Sequence, residues 1–113
     1  MKRTALIPAL ALVTAGTAAA ALPMLYEEQM GRAEERLILV NPIAGIQNSL
    51  WFDYRINVTE AQKELAADLS NVSDVEDRRD AWEEYAHELK DERLDYIEEM
   101  EERGYRAGIV IVG

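Results

Sequence analysis

Ser70-Asn71-Val72-Ser73 separates two long runs of helical periodicity, and that short break decides the fold. Upstream, apolar residues recur at intervals of three and four: Ile43, Ile46, Leu50, Tyr54, Val58, Ala61, Leu65 and Leu69. Asn41-Pro42 ahead of them reads as an N-cap followed by proline at the first helical position. A helix is therefore expected over about 42–70, roughly 42 Å long. Downstream, Ser73 stands three residues before Glu76, a capping box that opens a second helix over about 74–103. Gly104 is placed as the residue past its C-terminus. The inward set of this helix is Val75, Trp82, Tyr85 or Ala86, Leu89, Tyr96 and Met100, with Leu94 and Ile97 beside it.

Two helices of matched length with so short a connection should fold back as an antiparallel hairpin. Placing the turn centre between Asn71 and Val72 sets Ala61 opposite Trp82, Val58 opposite Tyr85, Tyr54 opposite Leu89 and Ile43 opposite Met100. Tyr26, Met30, Ala33, Leu37 and Val40 continue the periodicity upstream, so a shorter helix is expected over about 23–40. Glu28 and Arg32 form a favourable i,i+4 pair within it. The heptad phase also runs on past Pro42, which would make that proline a kink in one long helix. Leu37-Ile38-Leu39-Val40 reads alternatively as a short buried strand. Its partner would be Ile109-Val110-Ile111-Val112, an extended C-terminal segment over 107–112 bounded by Gly108 and Gly113. The fold class expected is all-α, an antiparallel hairpin preceded by a shorter helix.

The N-terminus carries an address. Met1-Lys2-Arg3 is followed by an uncharged stretch from Thr4 to Tyr26, with Ala18 and Ala20 forming an A-x-A site. Residues 1–20 thus have the layout of a secretory signal peptide, and 21–113 form one small acidic helical domain, periplasmic or secreted. The alternative keeps residues 4–26 as an inner-membrane anchor, with the remainder facing the periplasm. Its second half is mostly Ala, Gly and Thr, which favours cleavage.

The exported part is strongly acidic. All 22 Asp and Glu lie beyond Tyr26, while Lys2 and Arg3 go with the signal, leaving a net charge of about −12. Nucleic acid and anionic lipid are disfavoured as partners because phosphates would be repelled, and a membrane enters only through a retained anchor. There is no cysteine, so a core this small lacks disulfide support and association with copies or with another protein is expected.

Candidate chemistry is sparse, and no cofactor and no catalytic residue is expected. Glu84-x-x-His87 resembles, in that step alone, the half-motif of two-helix, dimer-completed ferritin-like proteins, with Glu60 near the facing level. The resemblance implies a dimeric metal site of Glu60, Glu84 and His87 as the alternative reading. The first reading assigns no metal site, because Trp82, Ala86 and Leu89 turn Glu84 and His87 toward the edge of the buried stripe. Trp51 and Phe52 are neighbours about 100° apart on a helix and cannot both face one seam. That shoulder, with Arg55 beside it, is the candidate partner-binding surface, together with Ile109, Val110, Ile111 and Val112. The function expected is a non-catalytic extracytoplasmic protein working through protein–protein contact, as an accessory or assembly factor or as a subunit of an envelope complex.

Overall fold

The computed structural model describes residues 23–106, whose regular elements are all helices. Helix α1 spans Tyr26–Glu35, a single 3-10 turn covers Ile43–Gly45, α2 spans Ser49–Ser70 and α3 spans Val75–Glu102. The signal segment 1–20, the alternative anchor 4–26 up to Leu22, and the C-terminal run 107–112 lie outside the described residues.

The hairpin of α2 and α3 is present, with three local corrections. First, α2 begins at Ser49, seven residues later than Pro42 suggested. Asn48 is its cap, its Oδ1 accepting from the Trp51 N–H at 3.0 Å. Asn41-Pro42 opens only the 3-10 turn, which Ala44 and Gly45 end by entering the left-handed region at φ 56° and 71°. Glycine tolerates that conformation, whereas Ala44 takes it at a cost of about 1 kcal/mol.

Second, α1 stops at Glu35 instead of continuing to Val40. Residues 37–40 are neither helix nor strand, with Leu37 and Val40 exposed and Ile38 and Leu39 packed against the core. The expected Glu28–Arg32 pair is replaced by a longer-range one. Glu28 bonds Arg78 at 3.3 Å, and Arg32 bonds Glu35 at 3.0 Å.

Third, the capping box sits one residue later. Asp74 accepts from the Asp77 N–H at 2.8 Å, and the Asp77 carboxylate takes the Ser73 hydroxyl at 2.9 Å. Gly104, at φ 91°, follows α3 as its sequence position indicated.

The hairpin register also differs. Asn57 Nδ2 donates to Glu92 Oε1 at 2.8 Å, Tyr54 stacks on Tyr96 with ring centroids 5.1 Å apart, and Asn48 reaches Met100 Sδ at 3.5 Å. Partners on α3 thus lie about one and a half to two turns further on than the turn-centred pairing placed them. Part of the shift is the turn itself: α2 ends at Ser70 and α3 starts at Val75, so the connection is centred between Val72 and Ser73, one residue later than expected. Side-chain lean adds to it. On each helix the Cα–Cβ bonds tilt toward the N-terminus. In an antiparallel pair the tilts are opposed, so a residue of α2 meets one of α3 whose backbone lies further from the turn.

Helix α3 is the shared strut. Glu27 and Glu28 of α1 meet Arg79 and Arg78, Gly31 meets Trp82 and Tyr85, and Glu34 meets Arg93. Residue numbers ascend together along the contact, so α1 lies parallel to α3 while α2 runs antiparallel to it. Residues 36–48 then climb past Tyr54 and Tyr96 to reach the start of α2.

Gly31 is what lets α1 approach. A Cβ there would stand 2.7 Å from Trp82 Cε3 and 3.2 Å from Tyr85 Cδ2. Trp82 is therefore seated under α1. Its buried indole N–H finds no acceptor among the described residues.

At the far end, Trp51, Tyr54 and Tyr96 form an aromatic group with centroids 5.1–5.9 Å apart. Each such pair contributes about 0.5–1.5 kcal/mol beyond its buried area. The two phenols also fix the connector. Tyr54 Oη accepts from the Leu39 N–H at 2.8 Å, and Tyr96 Oη from the Ile43 N–H at 2.9 Å. Burial holds both phenols above the usual tyrosine range, so they remain protonated.

Candidate functional site

Trp51 and Phe52 divide as their adjacency requires. Trp51 is in the core at 5 % exposure, whereas Phe52 is half exposed at 50 %. Asn48 starts α2 at an angle that turns Trp51 onto Tyr54 and Tyr96. The Arg55 guanidinium lies 5.2 Å from the Trp51 ring centroid and caps it, a contribution of about 0.5–1 kcal/mol at so exposed a site. The surface feature is therefore Phe52 flanked by Arg55, with Trp51 as its support.

Ile56 completes that feature, and the sequence reading passed it over. It is 54 % exposed and one turn beyond Phe52. An i,i+4 apolar pair on the side of α2 opposite Tyr54, Val58, Ala61 and Leu65 was the available signal. Ile109, Val110, Ile111 and Val112, the other half of the expected surface, lie outside the described residues.

The second feature is electrostatic. Arg78, Arg79 and Arg93 of α3 all turn toward α1, where Glu28, Glu27 and Glu34 receive them. The other side of α3 is left to its carboxylates. Glu60 and Glu64 of α2 face Glu88 and Glu92 of α3 across an open groove of about 150 Å³, with Asn57 bridging to Glu92. Further along, Asp53 of α2 shares a groove with Glu92, Asp95 and Glu99 of α3. Partial burial, and then the neighbouring Glu64, raise Glu88 above the ordinary glutamate value.

The residues of the metal alternative separate. Glu60 lines the α2–α3 groove. Glu84 and His87 border an open acidic surface with Asp80, Glu83, Glu88 and Asp91. His87 also lies beside Met30, Glu34 and Lys90 on the α1 side. Within one chain the three are not brought to a common point. Glu84 instead approaches Glu64 and Asp68, one carboxylate oxygen from each lying within 4.8 Å of the others. The trio is largely exposed, as carboxylate clusters on so acidic a surface commonly are, and it lacks the imidazole that the half-motif would bring.

Tyr85 hydrogen-bonds Glu35 Oε2 at 2.6 Å from within the core. Burial, reinforced by that carboxylate, lifts its phenol well above the usual range. The pair ties α1 to α3; a phenol held so firmly protonated is a poor general base.

No protein-family model, curated protein or solved structure matches this chain. Among the described residues no helix is long and apolar enough to cross a membrane.

Proposed function

We propose that this chain is a non-catalytic extracytoplasmic protein that works by docking another protein, as an accessory or assembly factor or as a subunit of an envelope complex. One observation carries the reading. Phe52 and Ile56 stand exposed one turn apart on a well-capped helix, on the face turned away from α3. Two large apolar side chains held side by side are what a partner buries first, at about 1 kcal/mol each for the half of their surface still exposed. The basic start, apolar middle and Ala18/Ala20 site support export, with a retained anchor over 4–26 as the variant in which docking occurs at the membrane surface.

Site-specific photo-crosslinking in the native host tests the docking role. A photoreactive phenylalanine analogue at position 52 or 56 should give a discrete adduct, and the same group at the exposed Glu76 should not. Equal labelling at all three positions would remove the surface. Mass spectrometry of the mature N-terminus separates cleavage after Ala20 or Ala21 from retention.

A further inference from the structure

The outward face of α2 has an apolar centre and unequal edges. At about 100° per residue, Phe52, Ile56, Thr59 and Lys63 fall along the line opposite the buried stripe. Asp53 and Glu60 fall on the edge next to the α2–α3 groove. Arg55 falls on the other edge, already engaged with Trp51. The acidic edge is continuous with the carboxylates of α3, and among the described residues none of the salt bridges reaches this side, Arg78, Arg79 and Arg93 being engaged with α1.

Resting on the docking role proposed above, we infer that the partner presents an amphipathic helix with a row of Lys or Arg along one edge. Its apolar face covers Phe52 and Ile56, and its basic row runs over the groove between Glu60 and Glu92. Helices packed side by side sit about 8–10 Å apart, so basic residues at i and i+4 of the incoming helix come within reach of Glu60 and Glu64. Lys63 closes the apolar strip one turn below Thr59, which limits the overlap to roughly three turns.

Charge selects this occupant over the others. In an antiparallel pairing a second copy would bring its own Asp53 and Glu60 against the same row, and in any pairing each chain carries a formal charge of −10. An anionic bilayer is repelled in the same way. A basic helix offsets the like charges of Glu60, Glu64, Glu88 and Glu92 that line the groove, and attraction across it speeds encounter in a salt-dependent manner.

Calorimetric titration of the purified protein with three synthetic helical peptides of about 18 residues tests the assignment. One carries a leucine face and a lysine edge, the second the same leucines with a glutamate edge, and the third the lysine peptide with its leucines dispersed around the helix. The lysine-edged peptide should bind at least about ten-fold more tightly than either control. Phe52→Ser with Ile56→Ser should weaken it by about ten-fold, while circular dichroism shows the helices intact. Glu60→Gln with Glu64→Gln should weaken it and flatten its salt dependence.

Equal binding of the dispersed peptide, or no binding of the lysine-edged one, overturns the inference. Should the glutamate-edged peptide bind as well and still depend on Phe52 and Ile56, the docking role stands and the basic partner falls. When no peptide depends on those two residues, both fall. A dimer seen by light scattering and dissolved by Phe52→Ser with Ile56→Ser would assign the face to a second copy instead.

Discussion

The two sides of α3 are held by different physics. Toward α1, opposite charges meet: three arginines of α3 face three glutamates, and a glycine notch admits the Trp82 ring. Toward α2, like charges flank the contact, and an aromatic group with two satisfied phenols holds it together. A helix can therefore be docked by either means, but the two contacts respond to solution conditions in opposite ways. Salt screens the attraction that seats α1 and also screens the repulsion that strains the α2–α3 groove.

The largest effect that would break this comparison is expected at Trp82. Trp82→Ala empties the seat under α1 and should cost about 3–5 kcal/mol in chemical denaturation. The orphaned indole N–H, itself a cost of about 1–3 kcal/mol, pulls the net toward the lower end. A loss below about 1 kcal/mol would mean that α1 is seated by its ion pairs alone.

Gly31→Ala comes next. The added methyl meets Trp82 Cε3 at 2.7 Å, and overpacking of this kind costs about 1–3 kcal/mol. The helix propensity gained is about 1 kcal/mol, so a net loss of about 1 kcal/mol is expected. A stabilised variant would show that α1 moves away freely.

Arg93→Ala should cost about 0.5–1 kcal/mol, since its 2.8 Å bond to Glu34 is the best shielded of the α1–α3 pairs. That loss should shrink in high salt.

The smallest effect is on the other side. Glu88 holds its proton to higher pH in the folded chain than in the unfolded one, through burial and then Glu64. The folded state then binds more protons, so this group lowers stability as pH climbs from the ordinary value of 4.5 through its raised one. Glu88→Gln should remove that slope and stabilise the protein near neutral pH by about 0.5 kcal/mol, the scale of a like-charge pair. Urea midpoints measured across that window would reveal the slope; an unchanged profile contradicts the crowding of the groove.

The sequence exposed the hairpin but not its details, for identifiable reasons. Tyr54, Val58, Ala61 and Leu65 against Leu89, Tyr96 and Met100 are long periodic sets that survive in the fold, whereas Val75, expected inward, and Leu94 beside it are exposed. Asn41-Pro42 is a local signal that one 3-10 turn satisfies, and Ile43 and Ile46 reach the core equally well from a loop. The register needed the lean of side chains as well as the position of the turn. The α1 contact joins residues about fifty positions apart, beyond the range of periodicity. Its one trace was Gly31, a lone glycine in a helical pattern, which points to close packing. At the candidate site, the split between Trp51 and Phe52 followed from adjacency alone. Ile56 was equally legible, since it falls outside the buried stripe and one turn beyond Phe52.

Hydrogen exchange followed segment by segment in about 0.05 M and 0.5 M sodium chloride tests the central contrast most directly. Amides of α1 should lose protection at the higher salt, while those of α2 keep or gain it. The same change in both helices, in either direction, would contradict an electrostatically seated α1 beside an aromatically seated α2.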